Sequence, residues 1–246
     1  MSYSICITNY NKRPYIEKSL KSITDFAGKI GAEVVVVDSM SSDGSEEILE
    51  RYLKEGLIHS IIKKRCSRGM GREIAFRNSH GSIVLASMDT DVVYDVNALL
   101  ATLTEYTSRR MGKLFAVYGA MMGTRSCIES IGGWMDLDRH EDNEISLRAM
   151  NAGLYDQDMS INVVIEHLSE SDRSGMLDSM KLTYIDYRDW FRIGMRLRST
   201  SWKARIKPHV LLAYASARIH GTVATQGFDQ YLAKLKGSEN NAGSRR

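Results

Sequence analysis

Two aspartates, Asp89 and Asp91, stand one residue apart in "ASMDTDVVYD" (86–95), directly after the apolar run Ile83-Val84-Leu85. Like charges this close repel, and removing them from water is costly unless a cation is near. Either they are turn residues, for which Asp is common, or they hold something positive. In extended backbone, positions i and i+2 project to one side, so both carboxylates can serve one ligand. Mg2+ and Mn2+ take oxygen ligands, often one or two carboxylates together with phosphate oxygens. The second reading is therefore a divalent-metal and diphosphate site.

Other residues offer matching chemistry. Asp38 follows Val34 to Val37; Asp43 is better placed to cap the next helix, which leaves Asp38 to accept the N–H of a nucleobase. "KKRCSRGMGR" (63–72) is a basic, glycine-bearing stretch, either solvated or facing a diphosphate. Ile74 stands where a dinucleotide fingerprint needs its third glycine, and there is no P-loop, which argues against a nicotinamide dehydrogenase and a P-loop kinase. Glu141-Asp142, beside His140, heads a helix expected to begin near Asp142. An acid there suits the helix dipole in any case, yet the loop also suits a general base. His167, at a strand exit, reads as structural or as a third metal ligand.

The elements that must position these groups alternate. Ile5-Cys6-Ile7 is a strand, and Pro14 suits the first turn of a helix with Leu20 and Ile23 inward. Val34 to Val37, apolar on both faces, predicts a central parallel strand. Asp43-Gly44-Ser45-Glu46 predicts a capping box, with Ile48, Leu49, Tyr52 and Leu53 as a buried stripe ended by Gly56. Strands are expected at 58–62, 83–88, 114–118 and 161–165, and helices at 72–78 and 96–110, the latter with Leu99, Leu100, Leu103 and Tyr106 inward. This rhythm predicts an α/β fold with a mainly parallel sheet. Ligands of such sheets bind beyond the carboxyl ends of the strands. Those ends carry Thr8-Asn9-Tyr10-Asn11, Asp38 and Asp89-Thr90-Asp91.

The 246 residues, 43% hydrophobic and 26% charged, suffice for one sizeable domain with an appendage. A net charge of +3 is too small to imply nucleic acid. Cys6, Cys66 and Cys127 form neither a zinc spacing nor a disulfide framework, so a cytoplasmic, reducing setting is the simpler expectation. No signal-peptide core is evident, and no apolar run reaches the roughly 20 residues of a transmembrane helix. Residues 171–236 mix aromatic and basic side chains in helical patterns broken near Pro208, and 237–246 read as a disordered tail. That region either packs on the core, forms a homodimer, or rests on anionic lipid at the inner face of a membrane.

In this order the segments resemble family 2 glycosyltransferases of the GT-A fold, over about residues 3–168. "ICITNYNKRPYIEKSLKSI" is similar to the family's opening strand and helix, with Thr8 in the place of a usual proline. "EVVVVDSMSSDGSEEIL" resembles V-V-D-D-G-S-T-D-G-T, with Ser39 replacing the second aspartate. "GREIAFRNSHGSIVLASMDTD" resembles the A-R-N segment leading to D-x-D, with Glu73 for the asparagine. "GGWMDLDRHEDNEISLRAMNAG" resembles the segment that carries the base.

The resemblance implies a Rossmann-like catalytic domain at 1–170 with a helical C-terminal appendage. It implies transfer of a sugar, with inversion, from a nucleotide-diphosphate donor to an acceptor hydroxyl of a glycan or lipid-linked substrate. Thr8, Asn9, Tyr10 and Asp38 would surround the nucleoside, Arg72 and Thr90 would face the donor, and Asp89 would approach ribose or metal. Asp91 would coordinate Mg2+ or Mn2+ directly. Asp142 would be the base, assisted by Glu141. A nucleotidyltransferase would show a glycine-rich loop where "TNYNKRPY" stands; a non-catalytic scaffold would have no need of the aspartates.

Overall fold

The computed structural model describes residues 1–168, 176–197 and 200–219, with backbone alone at 176–178 and 202. Seven strands, β1 (Tyr3–Asn9), β2 (Glu33–Asp38), β3 (Ser60–Lys63), β4 (Ile83–Asp89), β6 (Leu114–Tyr118), β7 (Ala120–Thr124) and β8 (Tyr155–Asn162), form one sheet in the order β3-β2-β1-β4-β7-β6-β8. The first four are parallel; β7 runs antiparallel to β4 and β6, and β6 is parallel to β8. A small second sheet pairs β5 (Val92–Tyr94) with β9 (Val164–His167).

The four valines of β2 show why the sheet is central. Val34 and Val36 pack with Leu20, Ile23 and Leu49, while Val35 and Val37 pack with Phe76 and Ile128 on the other face. Alternate side chains thus meet a helical layer on each side, and none touches water. On the first face lie α1 (Arg13–Ile30), with Pro14 in its first turn, and α2 (Ser45–Lys54). On the second lie α3 (Arg68–Arg77) and α6 (Glu141–Asn151), with the short α5 (Arg125–Ser130).

Several expectations shift. The strand expected at 161–165 is two strands parted by the buried Val163, and β5 and β7 were not foreseen. "AMMGT" carries no β-branched alternation, and the aspartates flanking "VVY" read as turn chemistry. Helix α3 starts at Arg68 because the Ser67 hydroxyl caps it, accepting the Met70 N–H at 3.2 Å. The capping box does not close. Asp43 instead accepts the N–H groups of Ser45 (3.0 Å) and Arg13 (2.8 Å), while Glu46 turns to Lys63. Leu53 faces solvent. Helix α4 (Val96–Glu105) is capped by Asp95, and its expected last turn widens to a π turn over Tyr106–Arg110.

Pro208 opens α9 (Pro208–Ile219), which packs with α7 (Met176–Arg192) through Phe191, Val210, Ala213 and Ala217; α8 (Trp202–Arg205) lies between them. Ile193, just past α7, joins Leu137 and Leu147, so these helices pack on the sheet domain. The end of the basic region beyond 219 and the tail at 237–246 lie outside the described residues.

Candidate functional site

Parallel pairing sets the floor of the site. Asn9 pairs with Asp38 and Thr8 with Asp89, so three strand ends arrive together. A polar chain crosses them: the Thr90 hydroxyl donates to Asn9 Oδ1 (2.9 Å), Asn9 Nδ2 donates to Asp38 Oδ1 (2.7 Å), and the Ser41 backbone N–H donates to Asp38 Oδ2 (2.8 Å). Above this floor opens a cleft of about 620 Å³, whose walls include Thr8, Asn9, Tyr10, Lys12, Arg65, Arg68, Asp89, Thr90, Asp91 and Leu182.

Arg72 is the electrostatic hub. It is 1% exposed, and its guanidinium donates to Asp89 Oδ1 (3.2 Å), Asp142 Oδ2 (3.2 Å), Glu141 Oε1 (3.1 Å) and the Ala86 carbonyl (2.8 Å). Burial alone would weaken its hold on the proton, but Asp142, Asp89 and Glu141 outweigh it and raise its pKa. A buried charge is tolerable only with such partners. Burial, and then the neighbouring Asp142, push the Glu141 carboxyl above the usual range, while Arg72 pulls against them.

Asp142 is held from three sides. Beyond Arg72, its Oδ1 accepts from the Ser87 hydroxyl (2.8 Å) and the Trp134 indole N–H (3.3 Å). About a third of its side chain remains exposed. Asp91 has its own cation, the Lys12 ammonium at 2.6 Å. The repulsion between the paired aspartates is therefore relieved by the chain's own Arg72 and Lys12.

The donor set suits a hard dication bound with a diphosphate. Asp89 and Asp91 both line the cleft, with Asp89 Oδ1 held by Arg72 and Asp91 Oδ2 by Lys12. Among the described residues no three His, Cys, Asp or Glu side chains are grouped to hold a metal. Phosphate oxygens and water would have to complete the shell, as Mg2+-type sites commonly allow.

The expected site residues fall into distinct positions. Thr8, Asn9, Tyr10, Asp89, Thr90 and Asp91 line the cleft; Asp38 is wholly buried beneath it, bracing Asn9 and the Ser41 turn. Thr90 and Asp91 lie in a turn, so the two carboxylates do not project from one extended strand. Arg72 and Glu141 sit below the cleft, and Asp142 is tied to Asp89 through Arg72. His167 does not join them. Its pairing with Val92 brings the neighbouring Leu168 N–H to the Asp91 carbonyl (2.8 Å), but its imidazole lies by the Tyr118 hydroxyl at 3.3 Å. Of the basic stretch, Arg65 and Arg68 reach the cleft, whereas Lys63 pairs with Glu46 and Glu50. Sequence reasoning missed Lys12, Ser87 and Trp134. Ser87 could have been found two residues before Asp89; the other two meet the site only in three dimensions.

Residues 4–111 match the family model described as glycosyl transferase family 2. TuaG of Bacillus subtilis, named as a teichuronic acid biosynthesis glycosyltransferase, is 28% identical over 120 residues, 48% of this chain and 47% of that protein. Abequosyltransferase RfbV of Salmonella typhimurium is 30% identical over 102 residues, 41% of this chain and 29% of its own. The matched stretch thus spans less than half of either curated relative. The mannosyltransferase PcManGT from Pyrobaculum calidifontis, solved with GDP-Man and Mn2+, superposes with a TM-score of 0.60 at 17% identity, covering 98% of this chain and 80% of that one. Glucosyl-3-phosphoglycerate synthase from Mycobacterium tuberculosis, solved with Mn2+ and UDP-Glc, gives 0.60 at 14% identity, covering 78% and 77%.

Proposed function

We propose, on the premise that this chain belongs to glycosyltransferase family 2 and has the GT-A fold, that it transfers a sugar from a nucleotide-diphosphate donor to an acceptor hydroxyl with inversion. The observation that carries this reading is one guanidinium holding Asp89, at the donor cleft, and Asp142, at the head of α6, together. Asp142 removes the acceptor proton as the acceptor oxygen attacks the anomeric carbon. The bond to the diphosphate breaks, and the diphosphate leaves with its electron pair.

Arg72 keeps the two carboxylates apart and in place, with Glu141 sharing its charge. Asn9, Tyr10 and Thr90 face the nucleoside, while Arg65 and Arg68 offer positive charge to the diphosphate. Asp89 and Asp91 would hold a divalent cation, which neutralises charge on the leaving diphosphate when bound. Structural neighbours crystallised with Mn2+ support a dication in general, and their GDP-Man and UDP-Glc support a nucleotide-sugar donor. The test is to incubate the protein with UDP-glucose, UDP-GlcNAc and GDP-mannose, with and without Mn2+, and measure released nucleoside diphosphate. Release above the protein-free rate with at least one donor is expected. No release from any, with Asp142→Asn indistinguishable from the parent, would contradict the reading.

A second observation concerns the acceptor side. Among the described residues no helix is long and apolar enough to cross a membrane. Yet Ile206, Leu211, Leu212 and Ile219 are exposed beside Lys207 and Arg218, and no Asp or Glu lies between 200 and 219. This composition suits an anionic lipid surface that would present a lipid-linked acceptor. Sedimentation with anionic vesicles at low salt tests it: pelleting is expected, and protein left in the supernatant contradicts it.

A further inference from the structure

The residues just before Glu141-Asp142 are gripped by a helix that lies outside the family-matched segment. Asp189, in α7, is wholly buried, and its Oδ2 accepts the backbone N–H groups of Asp138 and Arg139, each at 2.9 Å. Its Oδ1 accepts from Arg188 Nε (2.7 Å), whose far nitrogen reaches the Asp138 carboxylate (2.7 Å). One turn away, Asp186 Oδ1 lies 2.8 Å from His140 Nε2, and the Trp190 ring lies over the His140 ring, with centroids 4.0 Å apart. His140 adopts φ 62°, a left-handed conformation in which a residue other than glycine is strained. Such a conformation persists only where its surroundings impose it, and here α7 does so through Asp186 and Trp190. His140 is the residue from which α6 starts, so its conformation fixes the direction in which Asp142 leaves the loop.

We propose that α7 is a built-in clamp for the catalytic base, and that Asp189 is its positioning residue. This rests on the assignment of Asp142 as base. Asp189 touches no reacting atom; it acts by holding the 138–140 backbone, and thereby the carboxylate two residues further on, at its place on Arg72, Ser87 and Trp134. A misplacement of about 1 Å can cost about 10²-fold in rate without changing donor affinity. The C-terminal helices thus complete the active site of the preceding domain.

The experiment uses the full chain and three variants, Asp189→Ala, Asp189→Asn and Asp186→Ala, beside Asp142→Asn. Two quantities are read: Mn2+-dependent nucleoside diphosphate release from the best of UDP-glucose, UDP-GlcNAc and GDP-mannose, and the NMR resonance of the Trp134 indole N–H, which donates to Asp142. Asp189→Ala should lose about 10²-fold in kcat with donor KM changed less than about twofold, and should shift or broaden the Trp134 resonance as Asp142→Asn does. Asp189→Asn keeps an oxygen for both backbone N–H groups but turns its amide nitrogen toward the Arg188 donor, so it should lose less rate than Asp189→Ala and keep the Trp134 resonance nearer the parent's. Asp186→Ala, at a side chain about one third exposed, should move both readouts in the same direction and so serves if Asp189→Ala does not fold. An unmoved Trp134 resonance in folded Asp189→Ala and Asp186→Ala, with the parent's kcat, would overturn the proposal. If Asp142→Asn itself kept the parent's rate, the base assignment would fall first.

Discussion

At the residue scale, the account turns on how carboxylates are neutralised. Asp89, Asp142 and Glu141 share Arg72, and Asp91 has Lys12. Asp142→Asn should lower turnover about 10²–10⁴-fold while donor binding survives, measured by steady-state kinetics beside calorimetric titration of the donor. Arg72→Met would leave three carboxylates around an apolar side chain. It should cost about 3–5 kcal/mol, as removing one partner of a buried ion pair does, read from urea denaturation. Lys12→Met frees Asp91 from its counter-ion, so Mn2+ affinity without donor should rise by up to about fivefold, the magnitude expected for one partly exposed ion pair. Electron paramagnetic resonance of free Mn2+ measures it. An unchanged affinity would mean that Lys12 does not compete for Asp91.

At the element scale, close approach and register place these residues. A Cβ at Gly69 would lie 2.1 Å from the Met135 carbonyl oxygen, so α3 abuts the loop that leads to Asp142. Gly69→Ala should therefore destabilise the protein by about 1–3 kcal/mol, with urea midpoints as the check. The Asp186 carboxyl is held below its usual range, chiefly by its hydrogen bond with His140. A lowered carboxylate pKa adds stability that is complete above the unfolded value and lost as pH falls through the folded one. The contact of α7 with the loop before Asp142 should thus loosen below about pH 4, visible as a change in tryptophan emission that Asp186→Asn lacks.

These contacts explain what the sequence could tell. The valine run and the Pro14 helix were legible because periodicity and local chemistry alone decide them. Parallel register brings the strand ends of Asn9, Asp38 and Asp89 together, as strand position alone implied, but Asp38 is buried under the cleft with its oxygens taken by Asn9 and Ser41 instead of facing a nucleobase. Three features were not legible. The burial of Arg72 depends on α6 arriving from 69 residues away. Asp91 leaves the strand for a turn. The imidazole of His167 is directed by pairing with β5, a three-residue strand too short to show a period.

At the scale of the whole molecule, the described residues form a sheet domain with the proposed donor cleft, against which α7 holds the loop that carries Asp142, the proposed base. The two parts meet at the cleft, where Leu182 of α7 stands among residues from β1, β4 and α3. On the proposed roles, donor affinity and turnover should be separable: variants at the strand ends should change the first, and variants of the clamp the second. The central claim, that Asp89 and Asp91 face a nucleoside diphosphate together with a dication, is tested most directly by isothermal titration of UDP and GDP into the parent and Asp91→Ala, with Mn2+ and with EDTA. The account predicts that one of them binds the parent in Mn2+, binds at least tenfold more weakly in EDTA, and loses that difference in Asp91→Ala. Equal affinity in all four conditions, or no binding of either nucleotide, would contradict it.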